Sequence, residues 1–525
     1  MKNSDNFYWK NTNLFKKHHD YLQGFFWQSN KNLSKILNNY HRTNLPTKSW
    51  TIMLYPWLYY YQSALYDRWN KLISKKYKNK KFPFKKKLYI INSSNEFFHL
   101  SQNDDWNNYI YSKIQNFKNN KTDQSDLSKK KTKKKIESNN YLLVFYILKF
   151  IRFFYIKSDV FYTDSLNFNK KKKLRDIYNC FIFKIVNKIH NKLSLKYDYN
   201  YNSRLKISNL VKKLKNNNLK TFENFFYDQV SYDIPCELIE GLKIHIKYSI
   251  GFPKIKDIFT KFLHYNNLNF KIFASKILEK KGKLNIVEHG GGIPWKSMNF
   301  FFEERIFTKK YTWAKEFEFN QKQFSNFSIK NEYYNIYNKN FDNKKISIIT
   351  TVIPKYFFKM ALAIQNFHYQ NYIIEINNFL KNIRKEQKEN IFLKLHPSEN
   401  DKYYKPGYKD LKKKNKVIKF FKKNQDFKYV IQKSKILVCT YPETTFTLSM
   451  LSGVPTILIL DSNFFNLLNP KFKKIINSLI KSKILFLNST KAATHINKIS
   501  EDPIKWYDSN NVKKAREEYL KIAFS

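Results

Sequence analysis

The feature that most constrains the fold is an alternation in the second half of the chain. Short apolar runs recur at 284–288 (LNIVE), 346–352 (ISIITTV), 391–395 (IFLKL), 435–440 (KILVCT), 456–460 (TILIL) and 484–487 (ILFL). Stretches with helical spacing separate them, such as 371–387 and 445–452. Continuous apolar runs of this length read as strands covered on both faces, and their alternation with helices predicts a parallel sheet in an α/β fold. Such a sheet binds its ligand at the carboxyl ends of its strands.

The first half reads differently. Residues 7–75 carry aromatic and Leu residues three and four apart and predict helix. A basic linker at 76–87 leads into the strand-like LYIINSS. The Lys-rich stretch within 118–140 and the run at 169–175 read as solvated loops. The apolar run 141–156 is interrupted by Lys149 and Arg152 and is too short to span a bilayer, so a buried or interfacial helix is expected. Residues 320–345, rich in Asn and Lys, read as a linker between two lobes. These readings divide the chain into an N-terminal lobe with a helical start (1–335), a C-terminal Rossmann-like donor lobe (336–490) and a helical tail (491–525).

Composition excludes some classes. The 97 Lys and Arg against 41 Asp and Glu leave a formal charge of +56. Nucleic acid or an anionic membrane would suit that charge. The lysines are spread over the whole chain, however, and Asn, Ile, Phe and Tyr are raised with them while Gly and Ala are few. This is the pattern that AT-rich codons impose, and it makes no local footprint for nucleic acid. A nucleic-acid partner is therefore not expected, although the lysines could hold the chain at the inner face of the cytoplasmic membrane. Three distant cysteines, Cys180, Cys236 and Cys439, offer no disulfide framework or zinc site and suit a reducing cytoplasm. The polar N-terminus lacks a signal-peptide pattern.

Three segments carry candidate chemistry. In NIVEHGGGIPW (285–295), three of the chain's nine glycines stand together as Gly290, Gly291 and Gly292, behind Glu288 and His289 at the end of a strand. Consecutive glycines allow a ligand to approach the backbone closely. In IFLKLHPSEN (391–400), a strand delivers Lys394 and His396, and the following proline keeps the histidine out of helix. In 436–460, strand, loop and helix follow in order, with Thr444 or Thr445 expected at the N-cap, where a helix end can hold phosphate. No acidic metal motif is evident. The expected site therefore has no metal and no cofactor, and stabilises a leaving phosphate by cations and a helix dipole.

At these residues the chain resembles the surface-carbohydrate transferase family of bacterial O-antigen and capsule regions, related in plan to GT-B glycosyltransferases. The likeness runs through PWLYYYQSALYDRW (56–69), EHGGGIPW (288–295), CTYPETTFTLSMLSGVPTIL (439–458) and the tail DPIKWYDSNNVKKAREEYL (502–520). A more distant similarity links it to CDP-glycerol glycerophosphotransferases and CMP-Kdo capsule transferases. The resemblance implies two Rossmann-like lobes, a helical N-terminal region and a C-terminal helix packing back across them. It also implies a carbohydrate or lipid-linked acceptor and a nucleotide donor, loosely a cytidine nucleotide. His289 would be the general base, with Lys394, His396, Thr444 and Thr445 on the donor phosphate. Family loops usually carry Gln where this chain has Glu288, an extra carboxylate that either raises the basicity of His289 or faces solvent. Rival readings are a CDP-glycerol glycerophosphotransferase, a basic nucleic-acid-binding protein and a non-catalytic scaffold.

Overall fold

The computed structural model describes residues 9, 11–73, 82, 89–119, 138–163, 174–192, 197–215, 221–288, 290, 306–313, 321–323, 327–338, 344–360, 366–398, 401–461 and 472–524. The chain opens with the helices α1 (Thr12–His41), α2 (Thr47–Leu54), α3 (Trp57–Ile73), α4 (Glu96–Ser101) and α5 (Asp104–Lys118). Asn11 caps α1 by accepting the N–H groups of Asn13 and Leu14, and Arg42 ends it in the left-handed region at φ 56°. One stripe of α1, with Phe15, Leu22, Phe26, Leu33 and Leu37, is buried at helical spacing. Pro46 and Pro56 stand immediately before α2 and α3, where the missing N–H costs nothing. The helical periodicity of 7–75 is therefore realised as three helices, not one.

α3 is buried almost all round and carries an ionic cluster inside the molecule. Arg68 and Asp67 have fully buried side chains, and Lys71 reaches the same Asp67 carboxylate at 2.9 Å. Arg68 also donates to the Asn107 side chain at 2.7 Å and to the carbonyl of Phe357, far along the chain. Tyr59 donates to the Met360 carbonyl at 2.5 Å, and Gln102 accepts the Tyr356 N–H at 2.7 Å. The helical region is thus fastened to the segment 356–360.

The described part of LYIINSS, residues 89–94, forms no strand. The carbonyls of Ile91 and Asn92 accept the N–H groups of Cys236 and Glu237, the first turn of the short helix Cys236–Ile239, so they are taken by a helix end instead of a ladder.

Two all-parallel sheets follow. The first contains β1 (Val160–Tyr162), β2 (Asp257–Thr260), β3 (Lys283–Val287), β4 (Lys309–Thr312) and β5 (Gln321–Gln323) in chain order. The helices α6 (Ser138–Ile151) and α7 (Leu174–Lys192) lie in sequence on either side of β1. The stretch read as a linker, 320–345, carries β5 and the helix Phe327–Tyr333, which packs on the second sheet's helices.

The second sheet contains β6 (Lys345–Ile349), β7 (Ile391–Lys394), β8 (Lys419–Phe420), β9 (Ser434–Cys439), β10 (Thr456–Ile459) and β11 (Leu485–Phe486). Each of the six late apolar runs became one of these strands, except LNIVE, which is β3. Their spatial order is β8-β7-β6-β9-β10-β11, that of the doubly wound dinucleotide-binding fold. The first sheet is also parallel but keeps its strands in chain order, a different order from that of the second sheet.

Alternation along β9 shows how the second sheet is covered. Ile436 and Val438 join the core made with α8 (Tyr369–Asn382) and α11 (Ser489–Ile499). Leu437 and Cys439 join the core made with α9 (Thr444–Ser452), α10 (Lys473–Lys481) and α12 (Asn510–Ala523). Period-two side chains buried on both faces need helices on both faces. Each such fully buried side chain contributes roughly 1.5–3 kcal/mol. The C-terminal helix packs on the helices of the second sheet. Tyr519 of α12 hydrogen-bonds Thr447 of α9 at 2.7 Å, and Phe524 stacks on Trp313, just beyond β4 of the first sheet, at 5.8 Å.

Candidate functional site

The site is built where β3 of the first sheet and β7 and β9 of the second end. Glu288 follows β3. Its N–H donates to Tyr311 O at 2.8 Å, and its carboxylate accepts the Trp313 N–H at 3.1 Å. The acid is thus tied across the ends of β3 and β4, which fixes where the Gly-rich loop begins. Two residues on, Gly290 meets the second sheet's helix: a Cβ there would lie 2.6 Å from Thr444 Oγ1, closer than real Cβ contacts come. Only glycine fits that approach without movement. His289, Gly291 and Gly292 lie outside the described residues.

On the other side, Thr444 stands at the first position of α9. The expected N-cap at Thr444 or Thr445 is corrected by one residue. Glu443 has extended backbone (φ −124°, ψ −160°), and its carbonyl accepts the N–H groups of Phe446 and Thr447, so it is the cap residue. Thr445, in the first turn, donates to the Tyr441 hydroxyl at 3.3 Å.

His396 follows β7 in the loop made by Pro397. Ser398 N–H donates to Nδ1 at 3.1 Å, which leaves the imidazole proton on Nε2. Burial pushes its pKa below the ordinary 6.5; Glu443 opposes this, Lys394 reinforces it and Asp401 opposes it. His396 therefore stands within electrostatic reach of both Lys394 and the cap residue of α9. The ring is a neutral donor through Nε2 near pH 7. Lys394 is more engaged than its sequence suggested. Its ammonium donates to Lys423 O at 2.8 Å, and burial lowers its pKa against the pull of Asp426.

Gly290, beyond β3, thus meets Thr444, beyond β9, and His396, beyond β7, lies within electrostatic reach of Glu443. Over residues 4–523, nearly the entire chain, the sequence matches the model of a family described as LIC12162 family transferase. The chain belongs to the LIC12162 transferase family. Among curated proteins, none matches it.

Sequence reasoning missed the part of this LIC12162 family transferase that organises the switch point between β6 and β9. Tyr372, on α8, accepts the Thr351 N–H at 3.0 Å and hydrogen-bonds Thr440 at 2.7 Å. Thr440 in turn donates to Ile349 O at 2.8 Å. One hydroxyl therefore joins the chain leaving β6 to the chain leaving β9. Beside it opens a pocket lined by His368, Tyr372, Glu375, Ile376, Thr440 and the end of β10 at Ile459–Asp461. Its walls are mainly apolar, with carboxylates at Glu375 and Asp461. This is the crevice at which doubly wound sheets hold ligands. The only sequence signal for it was the strand ends themselves, since Tyr372 looks like any aromatic on an amphipathic helix.

Proposed function

We propose that this transferase moves a sugar from a nucleotide-activated donor to a carbohydrate or lipid-linked acceptor in surface-polysaccharide synthesis, of the O-antigen or capsule kind. The two sheets act as the lobes of a GT-B-like enzyme. The observation that carries the reading is the approach of Gly290, just beyond β3 of the first sheet, to Thr444 Oγ1 at a helix N-terminus of the second.

The roles follow from charge. The acceptor hydroxyl oxygen bonds to the transferred carbon while the bond from that carbon to the donor phosphate oxygen breaks. His289 takes the hydroxyl proton as general base. Negative charge grows on the departing phosphate, where Nε2–H of His396 donates and the positive end of α9 at Thr444 and Thr445 attracts. Lys394 adds positive potential from behind His396. Glu288 sets the base of the loop. The adjoining pocket takes the nucleoside, its apolar walls facing the base.

The test is nucleotide release. Purified protein is incubated with CMP-, CDP-, UDP- and GDP-linked donors and a membrane extract as acceptor source, and free nucleotide is followed by phosphorus NMR. Release from one sugar donor, lost in His289→Ala, supports the reading. Release of CMP from CDP-glycerol instead would make the enzyme a glycerophosphotransferase. Release from none would remove the donor assignment.

A further inference from the structure

We propose that the outward faces of α6, the 3-10 turn Arg152–Phe154 and α7 form a surface that inserts shallowly into an anionic lipid bilayer. Of the nineteen exposed large hydrophobic side chains among the described residues, thirteen lie between Leu142 and Ile185. Phe153 is 80% exposed, Leu174 85%, Phe150 63%, and Leu143 and Phe181 60% each. Apolar side chains scattered singly over a surface need no explanation, but this concentration marks a place where something binds.

The face is held firmly from behind. Leu148 of α6 is fully buried and packs on Gly251, where a Cβ would lie 3.1 Å from its side chain. Phe183 and Val186 of α7 are buried in the same core. Each helix therefore buries one stripe and turns a second apolar stripe outward. An internal core helix needs only the first stripe.

Charge selects the occupant. Over the described residues 138–163 and 174–192 the sequence carries seven Lys and Arg and two carboxylates, Asp159 and Asp176. Lys149, Lys157, Lys184 and Lys188 are exposed among the aromatics. The chain also runs into α6 and α7 through the Lys-rich sequences 129–135 and 170–173. Aromatic and aliphatic groups interspersed with lysines suit a headgroup–acyl boundary, where the apolar parts sink and the ammonium groups meet lipid phosphate. A second copy would set one cationic rim against another. Among the described residues no helix is long and apolar enough to cross a membrane, so the insertion is interfacial.

The test is co-sedimentation of the full chain with vesicles of phosphatidylcholine, with and without phosphatidylglycerol. The wild type should bind the anionic vesicles and leave the neutral ones largely unbound. Phe150→Ser/Phe153→Ser/Phe181→Ser should weaken binding by about tenfold or more, and Lys149→Glu/Lys157→Glu/Lys184→Glu should weaken it as well. Circular dichroism checks that both fold. As a second readout, Phe153→Trp should be quenched by bromine-labelled acyl chains. Undiminished binding of the triple Ser variant, or an unquenched Trp, would overturn the proposal in favour of charge alone. Failure of the wild type to bind, or a dimer in solution that the Ser variant dissociates, would overturn it in favour of a protein partner.

Discussion

Gly290 and Thr444 are 154 positions apart in the sequence, yet a single carbon added to the glycine would come 2.6 Å from the threonine's Oγ1. The two lie at the carboxyl ends of strands in different sheets. Gly290→Ala should therefore destabilise the protein by about 1–3 kcal/mol, the usual cost of overpacking. Removing the oxygen it meets, in Gly290→Ala/Thr444→Ala, should recover part of that loss, with a coupling of about 0.5–3 kcal/mol in a double-mutant cycle followed by denaturant unfolding. Purely additive effects would mean that the two residues do not touch in solution.

The buried cluster on α3 makes a second prediction. Asp67→Leu leaves the buried Arg68 guanidinium without its carboxylate, and should cost about 3–5 kcal/mol. Replacing all three members, Asp67→Leu/Arg68→Met/Lys71→Met, should recover much of it, because no uncompensated charge remains. Chemical denaturation of the two variants checks the order of stabilities.

How far the sequence could be read follows from where its signals came from. The six runs of the apolar alternation were legible because their side chains are buried, on both faces in the second sheet: β9 sends Ile436 and Val438 one way and Leu437 and Cys439 the other. β4 and β5 escaped notice because KKYT and QKQ have no apolar run; their pairing comes from neighbours in space. LYIINSS had the composition of a strand, but the carbonyls of Ile91 and Asn92 found helix N–H partners. At the site, Gly290, His396 and Thr444 announced themselves by type and position. Tyr372 could not, since its hydroxyl acquires meaning only when Thr351 and Thr440 are brought to it.

That bridge gives a third prediction. Tyr372→Phe removes one hydroxyl, leaves Thr440 and the Thr351 N–H without it, and should lower stability by about 1–2 kcal/mol. It should also weaken nucleotide binding in the adjoining pocket. An unchanged midpoint together with unchanged nucleotide affinity would show that the bridge has no such role.

Acid stability should carry the mark of His495. Its ring lies between Phe486 and Trp506, and burial, with Lys483 and Lys498 adding to it, pushes its pKa down to about 4. A histidine depressed in the folded state adds stability above the unfolded value near 6.5, and this is lost as pH falls towards 4. With the repulsion from Lys483 and Lys498 discounted for solvent screening, the loss should be about 1–2 kcal/mol. His495→Phe should flatten that part of the stability–pH curve between pH 6.5 and 4; an unchanged slope would contradict the assignment.

The most direct test of the central claim is a thermal-shift screen of the purified protein against CMP, CDP, UDP, GDP and ADP, repeated with His396→Ala and His396→Gln. The predicted result is stabilisation by one nucleotide, by about 2.7 kcal/mol at a hundredfold excess over Kd. That stabilisation should be lost with Ala and partly kept with Gln, whose amide can still donate. No stabilisation by any nucleotide, or a shift untouched by removing His396, would contradict a donor site at the meeting of Gly290, Thr444 and His396.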